Sequence, residues 1–144
     1  MSDIVEAFAQ AAEALVGTPF RLHGRSREHG LDCVGLVAQA LRMAGAAVPS
    51  LPTYALRNTD YSHVDKFAAA CGLVRARLPV MRGDIIMVQP GPAQRHLLVA
   101  VSASAVIHAH AGLRRVVRMD CAPDWPIRHH WTLWSPQLAQ GQQT

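Results

Sequence analysis

Apolar residues at Ile4, Val5, Phe8, Ala12 and Leu15 recur every three to four positions, which predicts an amphipathic helix over residues 3 to 16. Gly17 closes it, and Pro19 forbids its continuation. Residues 18 to 31 mix Pro19, Gly24 and Gly30 with polar and basic side chains and read as a loop. A second helix is expected from Cys33, with Val34, Val37, Leu41 and Ala44 on one face and Gly45 as its stop. Pro49 and Pro52 bracket an irregular stretch. A shorter helix from about Ser62 to Cys71 turns Val64, Phe67 and Ala68 inward.

Beyond Arg82-Gly83-Asp84 the spacing changes to that of strands. Five are expected: Ile85 to Val88, Leu97 to Val101, Ala105 to His110, Arg114 to Met119 and Trp131 to Trp134. Links as short as Ser102-Ala103-Ser104 and Ala111-Gly112-Leu113 join only antiparallel neighbours. The pattern therefore predicts an α+β domain, its N-terminal helices packed on a C-terminal antiparallel sheet. Residues 1–144 form one domain by length, with a frayed Gln/Gly-rich tail over 138–144.

Composition narrows this picture little. Half of the residues are apolar and 17% are charged, which suits a globular domain rather than a disordered chain. The net charge of +4 comes from scattered arginines, so no nucleic-acid partner is expected. Met1 to Glu6 carries acidic residues where a secretion signal needs basic ones, and no apolar stretch of membrane length follows. The chain is thus expected to be made in the cytoplasm, without membrane insertion.

Three cysteines, Cys33, Cys71 and Cys121, cannot all pair within one chain, and their spacing matches no C-x-x-C module. Cys33 stands apart from the others because it opens a helix, with Asp32 as the N-cap. Unpaired N–H groups and the positive end of the helix dipole favour a thiolate there, although the acidic cap opposes it. A thiol nucleophile also needs a base and a group to orient that base. His96 at a strand start is the candidate base, and His108 on the next strand stands alongside it if the two strands form a hairpin. His110 shares a face with His108, so either could orient the base, although a place beside the site or at the surface suits His110 better. No cofactor is called for.

These segments resemble a family. Leu31-Asp32-Cys33-Val34-Gly35-Leu36-Val37 is similar to the D-C-x-G-L-V motif of the NlpC-type cell-wall cysteine peptidases. Gly17 to Gly24 resembles their G-x-P-Y-x-x-G-G lead-in, and Met81 to Ile86 their P-G-D-L-V strand start. Arg95 to Val101 and Val106 to Ala109 resemble the strands carrying the base and the third residue. The resemblance implies a papain-like fold and hydrolysis of amide bonds in peptidoglycan stem peptides, usually between γ-linked D-glutamate and a diamino acid. Cys33 would then be the nucleophile, His96 the base and His108 the orienting residue. The chain departs from the pattern at Phe20, where a tyrosine is usual, and the second glycine of the G-G pair is displaced, with His23-Gly24-Arg25 in its place. The Trp131-Thr132-Leu133-Trp134 ending resembles members encoded with phage tails or gene-transfer particles, which implies tail proteins as carriers to the wall.

Substrate carboxylates are expected to meet Arg21, Arg25 or Arg27, since guanidinium groups pair bidentately with them. Cys71 and Cys121 read as inert packing thiols, His129-His130 as an exposed pair, and Trp125, Trp131 and Trp134 as core or rim. Three rival readings remain. Cys33, His96 and His108 with His29 could form a zinc site. The fold could serve binding or tail assembly without turnover. The same thiol chemistry could also serve an acyltransferase or an amidase acting on a different isopeptide.

Overall fold

Helix α1 spans Ile4–Ala14, and the strands β1 (Arg25–Ser26) and β2 (Gly30–Leu31) form a small hairpin before α2 (Cys33–Met43). α3 (Val64–Ala70) and β3 (Leu73–Arg75) follow, then β4 (Ile85–Val88), β5 (His96–Ala100), β6 (Val106–His110), β7 (Arg115–Met119) and β8 (Ile127–Leu133). This computed structural model describes residues 3–49, 64–92 and 94–134. The expected tail at 138–144 and the first residues of the expected Ser62 helix lie outside the described residues.

α1 begins where Asp3 caps it. The Glu6 N–H donates to the Asp3 carboxylate at 2.9 Å, satisfying one of the donors a helix start leaves open. Phe8, Ala12 and Leu15 are fully buried, as their spacing predicted. α2 is buried further round than a single face. Leu36, Ala38 and Ala40 are enclosed along with Val34, Val37 and Leu41. The reason is its position, with α1 on one side and β5 and β6 on the other.

The main sheet has six strands in the order β3-β8-β4-β5-β6-β7, and every neighbouring pair is antiparallel. The last four strands before β8 follow the chain as a meander, as their short links required. The chain then returns to lay β8 between β3 and β4. Both faces of the sheet are covered at its centre. Ile85, Met87, Val99 and Ile107 join the helices in the larger core, while Ile86, Val88, Leu98, Ala100 and Val106 form a smaller cluster beneath Val80, Met119, Ala122 and Trp125.

The β1–β2 hairpin falls in the segment expected as a loop, and two strands of the main sheet were not legible from spacing either. β3 is only three residues long. β8 begins at Ile127, before the expected Trp131, and its Ile127-Arg128-His129-His130 half shows no apolar alternation. Pairing with β3 and β4 on either side holds it instead. His129-His130 accordingly corrects the expectation of an exposed pair. The His130 side chain is 7% exposed and bonds Asp84 Oδ2 through Nε2 at 2.6 Å, while the His129 ring stacks on Trp131.

The contact that seats α2 against the preceding loop is made by glycines. The carbonyl of Gly24 lies so close to Gly35 that a Cβ there would fall 2.0 Å from its oxygen. His23 beside it holds φ at 61°, the region a glycine favours, which is where the chain breaks the family's G-G pair. Alanine for a glycine inside a helix ordinarily stabilises by about 1 kcal/mol. Gly35→Ala is expected to reverse that sign and to destabilise by about 1–3 kcal/mol, because the clash is with backbone. Urea unfolding of Gly35→Ala against the parent protein measures the sign directly.

Candidate active site

Asp32 organises the start of α2. Its Oδ1 accepts the Gly35 N–H at 2.8 Å as an N-cap, and its Oδ2 accepts the His23 N–H at 2.8 Å. Arg25 Nη1 donates to the same carboxylate at 2.8 Å and also to the Gly24 carbonyl. Arg25 is therefore engaged through Nη1 in holding the loop. Arg27 reaches the Ala14 carbonyl at 3.5 Å.

Cys33 follows the cap and is 8% exposed. The N–H of Leu97 faces its sulfur, so the thiol lies against the start of β5, one residue from His96. Burial is the largest influence on the thiol and pushes its pKa up to about 12. The Asp32 carboxylate adds to that rise, while the N–H groups of Leu97, Val34 and Cys33 itself oppose it. The resting thiol is thus neutral at pH 7. Desolvation outweighs the donors, so the helix start does not by itself make a thiolate here.

His96 and His108 come together as their strands predicted. His96 Nε2 and His108 Nδ1 are joined by a hydrogen bond of 2.8 Å, with ring centroids 5.0 Å apart and the rings edge to face. β5 and β6 pair only at Val99↔Ile107 and Ala100↔Val106, so the ladder ends before the histidines and leaves their rings free to meet. Trp125 stands edge-on to His96 at 6.2 Å. Burial lowers the pKa of His96 to about 4, helped by repulsion from His108 and His110. Burial likewise lowers that of His108 to about 4, with His110 adding to the effect. Both imidazoles are neutral at pH 7.

A direct thiol–imidazole bond is not among the hydrogen bonds described; the link from α2 to β5 runs through the Leu97 N–H. His110 is turned elsewhere. Its Nδ1 accepts the Leu113 N–H at 3.0 Å, and its ring centre lies 5.4 Å from that of His108. His29 bonds Ser26, and no group of three or more His, Cys, Asp or Glu is arranged to hold a metal ion among the described residues. Cys71 is buried as expected, whereas Cys121 is exposed and is no packing thiol. Spacing did not single out Met119, whose sulfur lies 3.0 Å from His108 Nε2. The signal was present in the hairpin register, which sets Met119 opposite Val106 and on the face of His108.

A helix layer on an antiparallel sheet, with a cysteine opening the central helix beside paired histidines on adjacent strands, defines the papain-like α+β class. The chain belongs to the NlpC/P60 family, whose profile matches residues 17–130. No curated protein sequence matches it. Among solved structures it is similar to NlpC2 from Trichomonas vaginalis, with a TM-score of 0.68 and 17% identity over 94% of this chain and 48% of that one. It spans about half the length of that protein. It is also similar to the NlpC/P60 domain of the peptidoglycan hydrolase SagA, with a TM-score of 0.59 and 15% identity over 90% of this chain and 98% of that one. A P60 domain from M. avium subspecies paratuberculosis gives 0.57 and 19% over 90% and 93%. At such identities the likeness is one of fold. No helix is long and apolar enough to cross a membrane among the described residues.

Two outcomes follow from these charges. Iodoacetamide should alkylate Cys33 slowly at pH 7 and faster only well above pH 9, after the exposed Cys121 has reacted. Peptide mass spectrometry across pH 6 to 10 resolves the two, and rapid labelling of Cys33 near pH 6 would show a resident thiolate. The histidines govern the acid side. Unfolded, they titrate near 6.5, and folded near 4, so between those values the unfolded chain binds more protons and stability falls as pH drops. The urea midpoint should decline from about pH 6.5 to about 4 and do so less steeply in His96→Asn.

Proposed function

We propose that this chain is a cysteine peptidase that hydrolyses amide bonds of peptidoglycan stem peptides, with the γ-D-glutamyl–diamino acid link as its target. The observation that carries the reading is the hydrogen bond between His96 and His108 beside the residue whose N–H faces Cys33. The family supports the chemistry, and the resemblance of a SagA domain that is named a peptidoglycan hydrolase supports the substrate.

Cys33 is the nucleophile, His96 the base and His108 the residue that orients it. Because thiol and imidazole are both neutral at rest, the proton moves during attack. As the bond from Sγ to the scissile carbonyl carbon forms, the Cys33 proton passes to His96, and the carbonyl oxygen takes up the negative charge. Backbone N–H groups at the start of α2 are the donors available to that oxygen. Collapse of the tetrahedral species breaks the C–N bond, and His96 returns its proton to the departing amine. Water then attacks the thioester, losing a proton to His96 and freeing the thiol.

Carboxylates of the stem peptide fall to Arg21, Arg25 or Arg27, whose guanidinium groups pair bidentately with such groups. For a carrier to the wall, the reading takes a phage-like tail, supported by the resemblance of the Trp131 to Trp134 segment.

Incubation with a purified disaccharide tetrapeptide tests the proposal. Mass spectrometry should show cleavage after the γ-linked glutamate, with rates at least about a thousandfold lower in Cys33→Ala and His96→Ala. A folded parent protein that leaves every stem peptide intact while binding wall fragments would replace catalysis with a binding role.

A further inference from the structure

His108 has a second partner besides His96. Its Nε2 lies 3.0 Å from the sulfur of Met119, the closest polar atom described for that nitrogen. A thioether sulfur carries lone pairs and no proton, so it can only accept. An approach this close is attractive only when Nε2 bears hydrogen, since two facing lone pairs would repel. His108 is then protonated at Nε2, which leaves Nδ1 as the acceptor. His96 must supply the hydrogen of the 2.8 Å bond from its own Nε2. The remaining nitrogen of His96, Nδ1, is left with its lone pair.

We propose that Met119 is a positioning residue: its sulfur locks His108, and through it His96, in the tautomer that leaves Nδ1 of His96 open to take the Cys33 proton. This rests on the peptidase reading for its consequence but not for its geometry. Were the tautomers reversed, His96 would accept from His108 at Nε2 and carry hydrogen at Nδ1, the wrong state for a base. Neutral imidazoles make the choice of tautomer matter, and burial keeps both neutral. β7 fixes the sulfur in place. Met119 pairs with Val106 in the ladder and packs on the cluster of Leu98, Ala100 and Val106, one diagonal step from His108.

The test reads the tautomers directly, by long-range 1H–15N NMR of the imidazoles at pH 7 in the parent protein, Met119→Leu and Met119→Gln. Leucine keeps the volume and removes the acceptor, whereas the glutamine carbonyl restores one. The parent should show hydrogen on Nε2 of both rings. Met119→Leu should show Nδ1–H signals at His108 and His96, and Met119→Gln should return to the parent pattern. On the tetrapeptide, kcat of Met119→Leu should fall about tenfold with KM unchanged, because fewer molecules hold the competent tautomer. Parent-like tautomers in Met119→Leu would overturn the proposal, as would an Nδ1–H form of His108 in the parent. A parent protein without hydrolytic activity would sink the peptidase reading, and the NMR spectra would still decide the role of Met119.

Discussion

The carboxylate of Asp32 is the interaction on which the rest of the site depends. It sits 8% exposed between the loop and α2 and gathers three donors: the N–H of Gly35, the N–H of His23 and the guanidinium of Arg25. A neutral cap such as serine could satisfy the helix end alone. It could not also hold Arg25 as an ion pair, and the loop would lose the anchor that keeps the Gly24 carbonyl against Gly35. The aspartate that fixes the position of Cys33 also raises its pKa, so placement of the thiol and ease of ionisation are in direct opposition.

The sheet supplies the other half of the site through register. β4 pairs with β5 down to Val88↔His96, holding His96 at a strand start, while the β6–β7 ladder holds His108 opposite Val117. The β5–β6 pairing ends before the histidines, and their rings meet in a hydrogen bond. Burial lowers both imidazole pKa values, and Trp125 stands edge-on to His96.

Local pattern made much of this legible. Cys33 after a capping aspartate, and two histidines separated by a hairpin's length, were enough to set out the candidate site, and the helical spacing of α1 and α2 was plain. Properties decided by packing were hidden. β8 is a strand because β3 and β4 flank it, although half of it is polar, and His130 is enclosed because its partner Asp84 lies 46 positions away in sequence. The charge of the thiol belongs to the same class. The helix start could be read from residues, but the burial that outweighs it is set by how the chain packs around the thiol.

A neutral thiol beside neutral imidazoles has a chemical consequence beyond the order of proton transfer. Alkylation, oxidation and disulfide exchange all begin from the thiolate, so a group held in the thiol form at rest is spared them. The three N–H groups around the sulfur remain directed at it without being strong enough to ionise it. In the proposed reaction, charge develops only when a carbonyl carbon offers the sulfur a bond and His96 takes the proton. As proposed, that step requires an unprotonated nitrogen on His96 at the moment of attack, which would make the direction of the hydrogen bonds along His96, His108 and Met119 as important as their lengths.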